Sequence, residues 1–449
     1  MDKSKRIILV LIVLLLIIGL LVIVLVNHQG KINKQTNSDI EQTATITGFT
    51  EIKDHKTYYT IREIINNYIV YMKQINGDEY VDASRLNMTK EELKEVMQND
   101  GTTAIKEILD EQYIDDLNIT DDQIQKMQNK YMKNGTYSQE VIYNLNVDDV
   151  FTYNLTENIT IALVDARIND EEFDLLIKLD KENGTYSLFL EDYITKYKYD
   201  KNMSKKDINI DNKRIQKNSY NSNINMNPTD SYIVSQYFSE YRMKMLNDTI
   251  EAYKLLDTEY SQKKYSSYEN FENYVNSNRK KIEYASINKY QVTEHDGTKE
   301  YVCIDNNGKY YIFIEETAAK YKVVLDVYTT DLPEFLEKYK TNDGKIKVGM
   351  NIQKIFEAIN DEDYRYVYNK LDNTFKQNNF PDEASFEEYV KQNFAHNQLE
   401  YENCKEEGNL YMFDVTVTEG TESSKEAVRK TFVMKLLEGT DFVMSFNVN

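Results

Sequence analysis

Residues Tyr253–Val275 read YKLLDTEYSQKKYSSYENFENYV, and residues Tyr368–Val390 read YNKLDNTFKQNNFPDEASFEEYV. The two stretches align without a gap at a spacing of 115 positions, so they predict that one folding unit occurs at least twice. The identical pairs are Tyr253/Tyr368, Leu256/Leu371, Asp257/Asp372, Phe271/Phe386, Tyr274/Tyr389 and Val275/Val390, and the similar pairs are Ala252/Val367, Tyr260/Phe375 and Tyr265/Phe380.

A short signature inside the repeat, L-D-x-x-[YF], occurs a third time as LDEQY at Leu109–Tyr113. Leu256 and Tyr260 are one helical turn apart, so we expect them to share one face of a helix and to pack under a sheet. The repeated Asp257 and Asp372 are expected to point sideways from that helix. The interpretation is that these residues build a core, and a ligand-facing role for the two carboxylates is the open alternative.

Apolar residues at helical spacing open each predicted unit, and alternating runs close it. In the second unit Ile233, Tyr237 and Tyr241 form a helical stripe, and later strands are joined by a hairpin turn at Asp305–Gly308. Helices followed by strands indicate an α+β fold with an antiparallel sheet. The predicted segments are 1–29 (cytoplasmic tip and transmembrane anchor), 30–56 (stalk), 57–201 (module 1, the divergent copy), 202–227 (Asn-rich linker), 228–330 (module 2), 331–347 (connector) and 348–449 (module 3).

The order of these elements resembles the cone fold of the nuclear-transport-factor-2-like family. The shared features are a long helix, an Asn-Asp break at Asn247-Asp248 or Asn360-Asp361, a short helix ending in the L-D-x-x-[YF] signature, and a following F-x-x-Y turn. The resemblance covers modules 2 and 3 well and module 1 loosely, and a cystatin-like fold is the competing interpretation. It implies three tandem cone-like domains, each with a curved sheet around its helices and a pocket at the wide end.

The N-terminal run Ile7–Val26 contains twenty apolar residues and no charged side chain. That length matches the hydrocarbon core of a bilayer, about 30 Å at about 1.5 Å per helical residue. Lys3, Lys5 and Arg6 precede the run, which predicts a cytoplasmic N-terminus and an extracytoplasmic bulk. A cleaved signal peptide is the alternative, but the run is longer than usual and no small-x-small cleavage site follows it.

The composition disfavours nucleic acid as a partner. The chain has 75 acidic and 54 basic residues, a net charge of -21, whereas binding to phosphate backbones relies on basic surface. Cys303 and Cys404 lie in different modules and are interpreted as two buried thiols, although a bridge between modules stays open. The four histidines have no metal-ligand spacing; they are His28, His55, His295 and His396.

The sequence carries no motif of a common enzyme class, and no Asp/His pair recurs between the modules. We therefore predict no catalytic, cofactor-binding or metal-binding residue and no cofactor. The leading hypothesis is a membrane-anchored, non-catalytic binding or scaffold protein of a bacterial cell envelope that contacts other envelope proteins. One alternative is an assembly subunit of a conjugation or type IV secretion channel, whose layout is similar. Another is a small-ligand receptor or pocket enzyme of the cone fold, and the oligomeric state is open.

Overall fold

A computed structural model describes most of the chain from residue 44 onward. The described residues are 44–46, 48–76, 83–130, 145–168, 171–190, 208–220, 228–395, 397–418 and 427–448. Their contacts divide the chain into an N-terminal half, residues 1–226, and a C-terminal half, residues 227–449. The C-terminal half contains predicted modules 2 and 3.

Helices come first in each module. Module 1 contains α1 (His55–Asn76), α2 (Lys90–Ile108), α3 (Glu111–Leu117) and α4 (Asp121–Asn129). Module 2 contains α5 (Asp230–Asn247), α6 (Thr249–Lys254), α7 (Thr258–Lys264) and α8 (Tyr268–Glu283). The connector forms α9 (Pro333–Thr341), and module 3 contains α10 (Gly344–Asn360), α11 (Tyr364–Asn369), α12 (Asn373–Asn379) and α13 (Glu383–Asn393).

Strands follow the helices and form one antiparallel sheet per module. The strands of the N-terminal half are β1 (Ala44–Ile46), β2 (Thr50–Glu51), β3 (Leu145–Asn154), β4 (Ile159–Ile168), β5 (Glu171–Glu172), β6 (Leu175–Asp180), β7 (Thr185–Phe189) and β8 (Ile208–Ile210). Those of the C-terminal half are β9 (Ile287–His295), β10 (Thr298–Asp305), β11 (Tyr310–Glu315), β12 (Tyr321–Val324), β13 (Gln398–Glu407), β14 (Leu410–Thr418), β15 (Val428–Leu436) and β16 (Phe442–Phe446).

The sheets are meanders in which most neighbours in sequence are neighbours in space. Their orders are β2-β3-β4-β6-β7 with β5 beside β4, then β12-β11-β10-β9, and then β13-β14-β15-β16. Tight turns close the hairpins, and Gly184 and Gly308 adopt left-handed φ angles of 66° and 81° that favour glycine. The described chain is therefore α+β with three main antiparallel sheets, as the order of helices before strands predicts.

The prediction of a transmembrane helix is not supported by the described chain. None of its helices is both long and apolar enough to cross a membrane. The longest, α1, is amphipathic because Lys56, Arg62 and Lys73 interrupt its apolar residues. The predictions of a membrane-spanning helix, a single-pass topology and a signal anchor are therefore wrong for these residues. The run Ile7–Val26 lies outside them, and the extracytoplasmic location stays a prediction.

Parts of the predicted stalk and linker belong to the fold of the N-terminal half. Strand β1, from the stalk, pairs antiparallel with β8, from the linker, and β2 extends the sheet of module 1 beside β3. Residues 211–220 then lie along β7, where Thr185 donates a side-chain hydrogen bond to the Ile215 carbonyl oxygen at 2.8 Å. The polar composition of these segments predicts flexibility. Pairing with other strands instead satisfies their backbone hydrogen-bonding groups and holds them in place.

Charged residues bind the returning segment to module 1. Arg214 makes two hydrogen bonds to the Asp180 carboxylate, at 2.5 and 2.9 Å. Lys178, with a side chain only 2 % exposed, pairs with Asp211 at 2.6 Å. Because Lys178 and Asp180 are buried on β6, removal of Asp211 or Arg214 would leave a buried charge with less compensation.

Helix N-caps recur at the same spacing as the sequence repeat. Asp248 and Asp363 cap α6 and α11 through the amides of Glu251 and Tyr366, at 3.3 and 3.1 Å. Ser267 and Asp382 similarly cap α8 and α13. Each break between helices therefore occurs where an oxygen-bearing side chain replaces the missing helical acceptor. The alignment also shows that Asp363, rather than Asp361, is the counterpart of Asp248.

Aromatic rings fill the space between the helices and the sheet of module 2. Tyr237 lies between Tyr301 and Tyr321, with ring centroids 5.5 and 4.4 Å away. Tyr265 packs against Phe271 at 5.1 Å. The interior where the family resemblance places a pocket is thus occupied by side chains in this module.

Candidate functional site

The L-D-x-x-[YF] signature is a junction between two helices and a strand. In all three modules the leucine forms a parallel bridge to the last strand: Leu109 to Leu188, Leu256 to Val323 and Leu371 to Met444. The expectation that Leu256 and Tyr260 lie on one helix is wrong, because Leu256 follows α6 and precedes α7. Both side chains are nevertheless buried, at 3 % and 0 % exposure.

The repeated aspartates are N-caps of the helices that follow each bridge. One oxygen of Asp110 accepts from the Gln112 amide at 3.0 Å, and Asp257 caps α7 through the Tyr260 amide at 2.9 Å. Asp372 accepts from the amides of Thr374 and Phe375, at 2.9 and 3.1 Å. These residues therefore orient the helix that follows each bridge.

Modules 2 and 3 meet at a partly buried polar cluster centred on Lys264. The Lys264 ammonium, at the end of α7, pairs with Asp363 of module 3 and lies 3.4 Å from Asp326 of module 2. It also donates to the Tyr328 hydroxyl at 2.6 Å. Tyr328 in turn donates to Asp361 at 3.1 Å, and Lys309 pairs with Asp361 at 2.8 Å.

The cluster uses the helix break of module 3 as its attachment point. One oxygen of Asp363 caps α11, and the other accepts from Lys264. Asp326 is fully buried and also accepts from the backbone amides of Tyr328 and Thr329, at 3.2 and 2.9 Å. Each of these charges has a partner, so the cluster is suited to joining the modules.

Electrostatic shifts in the cluster favour this paired state. Burial, reinforced by Asp326 and Asp361, raises the pKa of Tyr328 well above its ordinary value, so its hydroxyl stays a donor. Burial alone would lower the pKa of Lys309, but the nearby negative groups, including Asp361 and Asp326, outweigh it and the net shift is upward. Both side chains therefore keep the protonation state that the hydrogen bonds require.

A cleft separates the outer face of the module 2 sheet from α9 and α10. Its volume is about 430 Å³. Strands β9 to β11 supply one wall, and α9, which follows the sheet in sequence, lies against β9. We call this space the sheet–helix cleft; its lining residues are Gln291, Thr293, Glu300, Val302, Tyr310, Ile312, Val327, Leu332, Glu334, Phe335, Lys338, Met350, Gln353 and Lys354.

Glu300 is the unusual group of the sheet–helix cleft. It is 2 % exposed, and its Oε1 has no hydrogen-bond partner in the described structure. Burial, together with Glu334, raises the pKa of the Glu300 carboxyl, while His295 lowers it. Since an unpartnered buried acceptor is costly, this carboxyl is available to an incoming donor.

Lys354 lies at the other side of the cleft and is already paired. Its ammonium binds Asp331 and stands 4.0 Å from the centre of the Phe335 ring. Burial lowers the pKa of Lys354, although the Asp331 charge opposes the shift. Asp331 also accepts from the Thr440 hydroxyl, so it links the connector to module 3.

The cysteines and histidines do not form a site within the described residues. Cys303 and Cys404 are both free, and burial raises the pKa of the Cys303 thiol to about 12. His295 contacts Glu337 at 3.3 Å, and His55 lies at the start of α1, while His28 and His396 fall outside the described residues. The described residues contain no group of three or more His, Cys, Asp or Glu side chains that could hold a metal ion.

Sequence reasoning missed Lys264 and Glu300. In β10, TKEYVCID, the even-numbered residues Thr298, Glu300, Val302 and Ile304 face away from the module core and would be solvated in an isolated module. Glu300 is buried because α9 covers that face, and no local pattern signals the cover. The only sequence signal that could predict the burial of Glu300 is a polar residue on a strand that precedes a predicted helix able to cover it.

Comparison with known proteins adds no assignment. No family model, curated protein or solved structure matches this chain.

Proposed function

We propose that this protein is a non-catalytic binding and scaffold protein whose C-terminal half acts as one rigid body. The carrying observation is the polar cluster that joins Lys264 and Lys309 of module 2 to Asp363 and Asp361 of module 3. Satisfied buried networks rigidify the groups they connect. A fixed arrangement of two modules lets a scaffold hold partners at a defined spacing.

The filled module interiors also support a binding role over catalysis. The tyrosine and phenylalanine rings between helices and sheet occupy the place where an enzyme of a cone fold would hold its acid and base. The repeated carboxylates serve as helix caps and are therefore committed to the fold. The proposed partners are proteins, and the acidic surface disfavours nucleic acid.

Photo-crosslinking in the producing cell tests this proposal. A benzoylphenylalanine replaces Tyr284 of module 2 or Val428 of module 3, which are 73 % and 53 % exposed. A scaffold gives covalent products with the same partner complex from both modules. The identity of the crosslinked partner tests the alternative that this protein is an assembly subunit of a conjugation or type IV secretion channel.

Two variants of neighbouring lysines supply the control. Lys264→Met breaks the polar cluster, so we expect the joint recovery of both crosslinks in one complex to fall. Lys263→Met removes an exposed charge that pairs with Glu259 at 2.5 Å, so it should leave both crosslinks unchanged. A scaffold role is contradicted if neither exposed position yields a protein adduct.

A further inference from the structure

The sheet–helix cleft has the size and composition of a small-molecule site. Its volume of about 430 Å³ falls within the usual range for ligand pockets, about 300–1,000 Å³. Apolar side chains face it from both walls, with polar groups placed between them. The apolar lining consists of Val302, Ile312, Val327, Leu332, Phe335 and Met350.

The charges that line the cleft are matched except for one. Lys338 pairs with Glu334 one helical turn away on α9. Lys354 pairs with Asp331. Glu300 is 2 % exposed, and its Oε1 has no hydrogen-bond partner among the described residues. When Asp331, the partner of Lys354, is counted with the charged groups of the cleft, one carboxyl group remains uncompensated.

The residues around Glu300 do not supply a counter-charge for its carboxyl group. Its cross-strand neighbours are Thr293 on β9 and Ile314 on β11. The charged groups that face it are His295 from β9 and Glu334 from α9, with Lys338 and Lys354 on the opposite wall of the cleft. Both lysines are held by other carboxylates, so neither compensates the Glu300 carboxyl.

We propose that the sheet–helix cleft binds a compact amphipathic amine. The ammonium group donates to the Glu300 carboxylate, and the apolar body lies against Phe335 and Met350. A charge-assisted hydrogen bond to a buried carboxylate is stronger than one from a neutral hydroxyl. An anionic ligand would instead meet Glu300 and Glu334 and is disfavoured.

Ammonium binding is linked to the protonation of Glu300. The raised pKa means that the Glu300 carboxyl of the free protein stays protonated to a higher pH than an exposed glutamate does. Because the amine binds the ionised form, binding releases a proton there, and affinity rises with pH until Glu300 is ionised. The released proton appears as a dependence of the measured binding heat on the buffer.

Calorimetric titration of the full chain tests the proposal with three amines: phenethylamine, cyclohexylmethylamine and 1,4-diaminobutane. We expect phenethylamine or cyclohexylmethylamine to bind at least about tenfold more tightly than 2-phenylethanol, the neutral analogue, because only the amine gains an ion pair. The diamine lacks the apolar body and should bind more weakly. 3-Phenylpropionate should not compete.

Two matched variants locate the binding. Glu300→Gln should reduce amine affinity by about tenfold or more and abolish both the preference over the alcohol and the proton release. Glu294→Gln removes the same charge from an exposed position on β9 and should change neither. Circular dichroism confirms that both variants fold.

Three results would overturn the amine proposal: no binding by any of the amines at millimolar concentration, equal binding of amine and alcohol, or unchanged amine affinity in Glu300→Gln. The protein crosslinks at positions 284 and 428 do not depend on Glu300, so failure here leaves the scaffold role to its own test.

Discussion

The backbone amide of Asp257 donates a hydrogen bond to the Val323 carbonyl oxygen at 2.9 Å. The same contact joins Asp110 to Leu188 at 2.9 Å and Asp372 to Met444 at 2.8 Å. In each module one residue thus ties its backbone to the last strand and uses its side chain to cap the next helix. This double role explains why leucine followed by aspartate recurs three times.

Loss of the cap should cost more in module 1 than in module 3. Asp372→Ala removes a helix cap, so we expect α12 to lose about 1 kcal/mol of local stability. Asp110→Ala should cost about 3 kcal/mol, because Ser187 loses a 2.5 Å hydrogen bond and Lys178 loses a nearby carboxylate. Hydrogen exchange of the helix after each cap measures the difference.

Asp372→Asn is the control for the cap prediction. Asparagine keeps a capping oxygen, so exchange in α12 should stay close to that of the wild-type protein. Equal protection in Asp110→Ala and Asp372→Ala would contradict the assignment of a second role to Asp110.

Removal of the Lys264 ammonium should separate the unfolding of modules 2 and 3. Lys264→Met leaves Asp326, which is fully buried, without its cation, and we expect a loss of about 3 kcal/mol. Hydrogen exchange should rise in residues 325–331 and 361–369. The matched variant Lys263→Met should change stability by at most about 0.5 kcal/mol, because that ion pair is exposed. Similar losses in both variants would show that the cluster does not join the modules.

Helices α1 and α2 touch at Gly101. A Cβ atom at this position would lie 2.8 Å from the Ile75 backbone nitrogen and 2.9 Å from the Gln74 Cβ. Gly101→Ala should therefore destabilise module 1 by about 1–2 kcal/mol, even though alanine favours a helix. Asn99→Ala, on the exposed side of α2, should be neutral or stabilising. Urea unfolding monitored in α1 and α2 by hydrogen exchange distinguishes the two.

The buried Glu300 should make the C-terminal half less stable as pH rises. Its pKa in the folded protein is raised above the ordinary 4.5, so between the two values the folded state binds more protons than the unfolded state. The free energy of unfolding therefore falls as pH increases through this window. In Glu300→Gln this contribution is absent, so the variant should gain stability relative to the wild type as pH rises from the ordinary pKa of 4.5 through the raised one.

Urea midpoints at several pH values, measured without added amine, check this slope. The Glu294→Gln protein serves as the reference, since its exposed position gives no such burial penalty. A stability difference between Glu300→Gln and wild type that is independent of pH would contradict the raised pKa.

Sequence alone determined the α+β class and the order of helices and strands. The apolar stripe of α5 and the hairpin at Gly308 are local patterns that depend on residues a few positions apart. The helix breaks near Asn247 and Asn360 could also be predicted from sequence, because a local aspartate cap competes with continuation of the helix. The 115-residue repeat further indicated that modules 2 and 3 share these elements.

Only the tertiary structure decided where the polar residues would act. The Asp257 backbone is tied to β12 through Val323, and residues 208–220 are held by pairing with β1 and β7. Glu300 is buried because α9 folds back over the sheet. Burial and hydrogen-bond partners depend on segments far apart in the chain, so local periodicity carries no information about them. The amphipathic pattern fixes which face of a strand is polar, and packing decides whether that face meets water.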